Sequence, residues 1–270
     1  MTGAVLPTAT AAGSPLGRRN PTVKLALVFA VSMAVLFVFD PLTPSVLYLL
    51  ALAAVRVSTG IRPRTLSIAH LPFVAFALGL FLVNALSRPG DVLWETGPLR
   101  VTAEGLAVGA ALATRTLLVG VLSIGFIVST DPVALMTSLH QNARLSPRVT
   151  YAVLAGYRML QEMPREWQTI RQAHAVRAPL REDGTLPRDV RAMARAAFTL
   201  LVVSVRKGER LAQALESRGL GLTPRSIWRP VRLGAGDAMM AVTVLAVVSA
   251  VITVSALLGQ LEGSGALRSE

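Results

Sequence analysis

The sequence predicts an all-α, polytopic membrane protein with about five transmembrane helices and a cytoplasmic pair of long amphipathic helices. Three observations predict it. Hydrophobic residues make up 53% of the 270 and the mean hydropathy is +0.56, above what soluble globular chains show. Apolar runs of membrane-crossing length recur along the chain. Between two of them, residues 131–236 carry 17 Lys/Arg against 8 Asp/Glu, which is +9 of the chain's net +12. Membrane proteins retain Lys and Arg in the cytoplasm, so this basic stretch is expected there.

Residues 1–19 are rich in Ala, Thr, Gly and Pro and lack an apolar core, as a disordered cytoplasmic tail would and a signal peptide would not. Residues 20–130 hold four expected spans. Val23 to Phe39 follows Arg18, Arg19 and Lys24 and closes at the turn Asp40-Pro41-Leu42-Thr43-Pro44. Ser45 to Val55, followed by Arg56, Arg62 and Arg64, is shorter than the ~20 residues of a perpendicular span, so it reads either as a return to the cytoplasm or as a tilted or broken helix packed on the first. Leu66 to Leu86 crosses again. Residues 87–103 balance two Arg against Asp91 and Glu95 and belong outside. Glu104 to Val128 returns, Asp237 to Leu258 leaves once more, and residues 259–270 form a polar tail. The amino terminus is therefore expected inside and the carboxyl terminus outside.

Arg115 lies near the middle of the fourth span, where a charge facing lipid costs several kcal/mol. Two readings remain: a place on a substrate path, or a clamp that faces the bundle and bonds backbone carbonyls.

In the 131–236 stretch, Thr130-Asp131-Pro132 reads as a helix start, Asp131 offering a capping acceptor and Pro132 occupying the first helical position. That helix stops near Ser146-Pro147. A second helix runs from Arg148 to about Ala178, with Val149, Val153, Tyr157 and Leu160 in one stripe and a kink expected at Pro164. Pro179, Glu182-Asp183-Gly184 and Pro187 mark a solvent loop. A third amphipathic helix runs from about Asp189 to Gly219, with a break conceivable near Ser204. Its half from Ala192 to Ser204 is almost wholly apolar and suits a membrane-facing or interfacial position. Gly219 ends it as a residue free to take positive φ.

Several function classes are excluded or weakened. Without Cys there are no disulfides, thiolate metal sites or Cys nucleophiles. His70, His140 and His174 are too scattered for a ligand cluster, so no metal site and no bound cofactor are expected. All cations but Lys24 and Lys207 are Arg, dispersed among apolar helices with few aromatics to stack on bases, which argues against nucleic acid. Neither Lys sits in a GxxxxGK[ST] phosphate loop. Glu182, Asp183 and Asp189 form the one acidic cluster, without the spacing a membrane enzyme acting on lipid-linked substrates needs to hold Mg²⁺.

Helix two ends in Ala175-Val176-Arg177-Ala178-Pro179 and helix three in Ala214-Leu215-Glu216-Ser217-Arg218-Gly219-Leu220. A helix-terminal Arg can present its planar donor fork to a partner's carboxylates or helix-end carbonyls. It is also simply favourable for the helix dipole. These two motifs, with the opening Asn20-Pro21-Thr22-Val23-Lys24-Leu25, the run from Arg115 through Ser129-Thr130-Asp131-Pro132, and Tyr157-Arg158, resemble the transmembrane T component of energy-coupling factor transporters over residues 20 to 258. The resemblance implies coupling helices whose Ala-Arg-X ends dock into two ATP-binding-cassette ATPase subunits. Arg177 with Ala178, and Arg218 with Ser217 and Gly219, would be the docking residues. Val176 and Ser217 stand where the family has Ala.

It further implies a non-enzymatic subunit of the cell inner membrane. ATP-Mg would be used by the ATPases, and a small substrate-binding membrane protein would take up vitamins or transition-metal ions such as cobalt or nickel. An ordinary ABC importer permease is the alternative, but Glu216-Ser217-Arg218-Gly219 does not keep the Gly spacing of its EAA-type loop.

Overall fold

The computed structural model describes residues 13–38, 40–96, 99–177, 190–222 and 230–258. The first twelve residues of the expected tail, the loop from Ala178 to Asp189 and the carboxyl-terminal tail lie outside them. Among the described residues the chain forms α1 (Pro21–Leu36), α2 (Leu42–Thr59), α3 (Pro63–Ser87), β1 (Val92–Thr96), β2 (Leu99–Thr102), α4 (Ala103–Ser129), α5 (Pro132–Asn142), α6 (Pro147–Arg177), α7 (Val190–Ser217) and α8 (Ala235–Leu257). Four of these, α2, α3, α4 and α8, are long and apolar enough to cross a membrane, and α1 is a shorter apolar helix. The chain is thus an all-α polytopic membrane protein. It divides into two compact units, one of residues up to Leu135 with those from Val231 onward, the other Met136–Pro230.

The second span is longer than its apolar run suggests. Pro41 and Pro44 fall at or inside the first turn of α2, where a missing N–H costs nothing, and Asp40 Oδ2 accepts from Thr43 N at 2.7 Å to satisfy one of the orphan donors. At the other end Arg56 sits in the last turn, favoured by the dipole, and Gly60 closes the helix in the left-handed region at φ 66°. The residues that bracket the apolar run therefore belong to one uninterrupted 18-residue helix, and the short apolar helix is α1, with 16 residues.

The bundle core draws on α1, α2, α4 and α8. Val31, Val35, Val38, Leu47, Leu118 and Val248 are buried together. Outward, Phe29, Met33, Leu49, Phe76, Met239 and Val242 are all more than 60% exposed. So much exposed apolar surface suits lipid, not water. Helices α3 and α4 approach closely where Gly105 and Gly109, four residues apart, face the end of α3. A Cβ on Gly105 would lie 2.7 Å from Asn84 O, and one on Gly109 2.9 Å from Phe81 O. Small residues at this spacing are how membrane helices bring backbones together when no hydrophobic force separates helix from lipid.

Between α3 and α4 the expected outer loop contains an antiparallel hairpin of β1 and β2, with an irregularity between Val92 and Trp94. Thr102 links the hairpin to α4: its hydroxyl accepts from Gly105 N and donates to Arg88 O.

Gly105→Ala should lower the stability of the purified chain by about 1–3 kcal/mol, because backbone in α3 must move to admit the methyl. Gly79→Ala, whose Cβ meets nothing within 4 Å, should leave the melting temperature in detergent unchanged.

Candidate functional site

In the Met136–Pro230 unit, α6 and α7 form an antiparallel hairpin. Three contacts set the register. Arg148, in the first turn of α6, lies against Gly221 beyond the end of α7, its guanidinium 3.3 Å from where a Cβ would stand. Midway, Lys207 pairs with Glu166. Near the other end Thr199 Oγ1 donates to Arg195 O and accepts from His174 Nε2 at 3.2 Å. The ion pair is about a third exposed on one side and 40% on the other, and contributes at most about 1 kcal/mol. Thr150, Ile170 and Ala196 are the buried residues of the two helices among those described.

Both helices run unbroken. Pro164 lies inside the 31-residue α6, and Ser204 inside the 28-residue α7. Periodicity places Val149, Val153, Tyr157 and Leu160 on a common stripe, yet Val149, Val153 and Leu160 are exposed while Thr150 on the neighbouring face is buried. Phe198, Leu201 and Val205 of α7 are likewise more than half exposed. The unit thus carries apolar surface that its own packing does not cover.

The antiparallel order sets the positions of the Arg motifs. Arg177 is the last residue of α6, and Ala178 lies just outside the described residues. Arg218 follows α7 beside the start of α6. With a rise of 1.5 Å per residue, the length of α6 puts the two motifs about 45 Å apart, at opposite ends of the hairpin.

The end of α7 is closed by paired backbone bonds, Leu220 N donating to Leu215 O and Gly219 N to Glu216 O. This is the Schellman arrangement, with Arg218 at the cap and Gly219 one residue beyond at φ 80°. Ser217 Oγ turns back to donate to Ala214 O. Arg218 is exposed, so the guanidinium projects from a backbone fixed by four consecutive turn residues.

In the bundle, Arg115 donates Nη2 to Val38 O at 2.6 Å, bracing the carboxyl end of α1. Asp131 and Pro132 open α5, with Asp131 Oδ2 accepting from Ala134 N at 2.8 Å. A further constellation has no counterpart in the sequence reading. Asn20 caps α1 by accepting from Thr22 N, and its own backbone N donates to Asp237 Oδ1 at 2.8 Å. Asp237 also accepts from Gly234 N through Oδ2, capping α8. Lys24, 4% exposed, donates Nζ to Ser129 O at 2.7 Å at the end of α4. The signal available was Asn before Pro at a helix start; its partners lie more than one hundred residues away.

Four long apolar helices, a shorter one and a long helical hairpin with an Arg at each end are the architecture of a multi-pass membrane protein. The model of the CbiQ family, cobalt transport protein, matches residues 12–226, and the chain belongs to that family of transmembrane components, the energy-coupling factor T components its sequence resembles. It is 26% identical over 244 residues to the energy-coupling factor transporter transmembrane protein EcfT of Thermosediminibacter oceani, covering 87% of this chain and 92% of that one. To the protein of the same name from Heliobacterium modesticaldum it is 26% identical over 247 residues, 86% and 90% of the two chains. A putative ABC transporter ATP-binding protein of Bifidobacterium longum is 25% identical over 252 residues, which is 89% of this chain but 32% of that protein.

Gly219→Ala should destabilise the hairpin by about 1–2 kcal/mol, since an L-residue there is held in the left-handed region. Thermal unfolding of the full-length chain should report the loss, with Ser217→Ala near wild type.

Proposed function

We propose that this chain is the energy-coupling transmembrane subunit of an ECF-type ABC importer. It transmits the ATP-driven motion of two ATPase subunits to a separate substrate-binding membrane protein that takes up a vitamin or a transition-metal ion. The observation that carries the reading is the placement of Arg177 and Arg218 at opposite ends of one stiff hairpin, about 45 Å apart. That is a span suited to one contact on each of two neighbouring subunits. Each motif supplies a charged fork on a helix end, with Ala178 or Gly219 after it and Ser217 before the second Arg. Small neighbours leave a groove room to close around the guanidinium.

The relative named as an ABC transporter ATP-binding protein supports the pairing with an ATPase, because a segment like this chain makes up about a third of it. The exposed apolar residues of α6 and α7, among them Leu160, Phe198 and Leu201, support a hydrophobic second partner. In this reading the hairpin unit and the amino terminus are cytoplasmic, which the concentration of Arg in residues 131–236 supports. Hydrolysis of ATP-Mg belongs to the partners. The chain itself binds no cofactor and acts as a lever; Arg115, tied to Val38 O, is a structural brace within the bundle.

Changing Arg177 and Arg218 together to Glu should leave the chain inserted at wild-type level while co-purified ATPase falls by at least about tenfold, since a reversed charge meets groups arranged for a cation. ATPases retained at wild-type stoichiometry would remove the docking role.

A further inference from the structure

A second cationic feature lies away from the hairpin, where the membrane helices end. Arg18, Arg19, Lys24 and Arg232 line one pocket of about 170 Å³, together with Gly17, Asn20, Ser129 and Asp131. Four cations face two carboxylates: Asp131, which already accepts from Ala134 N, and Asp237 beside Lys24, which accepts from Asn20 N. Among the described residues none of the three arginines forms an ion pair. Lys24, on the buried side, gives its ammonium to Ser129 O and Oγ.

The arrangement is built. Residues 14–19 fold into a turn by Gly17 N donating to Ser14 Oγ, Arg18 N to Ser14 O and Arg19 N to Leu16 O. Leu16 N in turn donates to Ser58 O at the end of α2. Arg19 lies over Gly236 in the first turn of α8, where any side chain would collide with its guanidinium. The charges are thus held by α1, α2, α4 and α8 and are not carried on a loose tail.

With four cations to two carboxylates the site keeps an excess of positive charge, and a bound anion relieves that repulsion. The level of the pocket indicates which anion. It lies at the first turn of α1, the last residue of α4 and the approach to α8, the boundary at which these apolar helices leave the hydrocarbon. From this level into the membrane, α8 exposes Met239 and Val242 near its start and α1 exposes Phe29 and Met33 farther along, surface suited to acyl chains. A phosphate at this depth, joined to an apolar tail, satisfies both features.

We propose that the Arg18, Arg19, Lys24 and Arg232 pocket binds the phosphate of an anionic phospholipid headgroup. Arginine forks suit phosphate oxygens, and basic pockets beside membrane helices are a recurring means of holding such headgroups.

The test is native mass spectrometry of the full-length chain in detergent, titrated with phosphatidylglycerol or cardiolipin, with phosphatidylcholine and inorganic phosphate as comparison probes. The variant is Arg18→Gln with Arg19→Gln and Arg232→Gln, which leaves buried Lys24 in place. A control triple, Arg165→Gln, Arg171→Gln and Arg210→Gln, removes the same charge from the hairpin.

Expected are saturable binding of the anionic lipids, weaker binding of phosphatidylcholine, and at least about tenfold loss of anionic-lipid affinity in the pocket variant only. Equal retention by pocket variant and wild type, or equal loss in both triples, overturns the site. Displacement of phosphatidylglycerol by inorganic phosphate at equal concentration overturns the lipid and assigns the pocket to the free anion.

Discussion

A helix that ends at the edge of a membrane leaves backbone carbonyls or N–H groups with neither helix nor bulk water to satisfy them, and in this protein three helices meet that constraint at one place. The Lys24 ammonium takes the last carbonyl of α4, while Asp237 bonds its own helix start and the backbone N of Asn20, which caps α1. One cation and one carboxylate, both more than nine-tenths buried, close three helix ends. The chain leaves the bundle just after Ser129 and returns just before Asp237, so this clasp anchors both segments that connect the bundle to the hairpin unit. The buried side chains of Val31, Val35, Leu118 and Val248 continue the same association of α1, α4 and α8 along their length.

The two units meet different demands with different residue types. In the bundle, helix contacts depend on close approach, as at Gly105 and Gly109 against α3, while bulky side chains point outward. The hairpin is long, carries charged residues along much of its surface and closes at the end of α7 in a defined turn. Its register is set at three points spread over its length.

Much of this was legible in the sequence. Apolar runs separated by Arg gave the polytopic class, because the bilayer sets a length and charge obeys a side. The end of α7 was legible because glycine takes the left-handed conformation there without the strain a side chain adds. The extent of α2 was not, since Pro41, Pro44 and Arg56 look like boundaries and are in fact first-turn and last-turn residues. Periodicity revealed that α6 is two-faced but not which face packs: among the described residues Val149, Val153 and Leu160 remain exposed while Thr150 is buried. The clasp was invisible, because Asn20 and Asp237 are joined only by folding. The separation of Arg177 from Arg218 likewise needed the antiparallel order, which no local pattern specifies.

The most direct measurement uses the absence of cysteine in the native chain. Val176→Cys and Ser217→Cys, singly and together, place a unique thiol beside each Arg for cross-linking in native membranes. The expected result is capture of an ATP-binding-cassette ATPase from either position, and of two ATPase subunits by the doubly substituted chain. Capture of no ATPase from either position, or of one and the same subunit from both, would contradict the bridging of an ATPase pair by this hairpin.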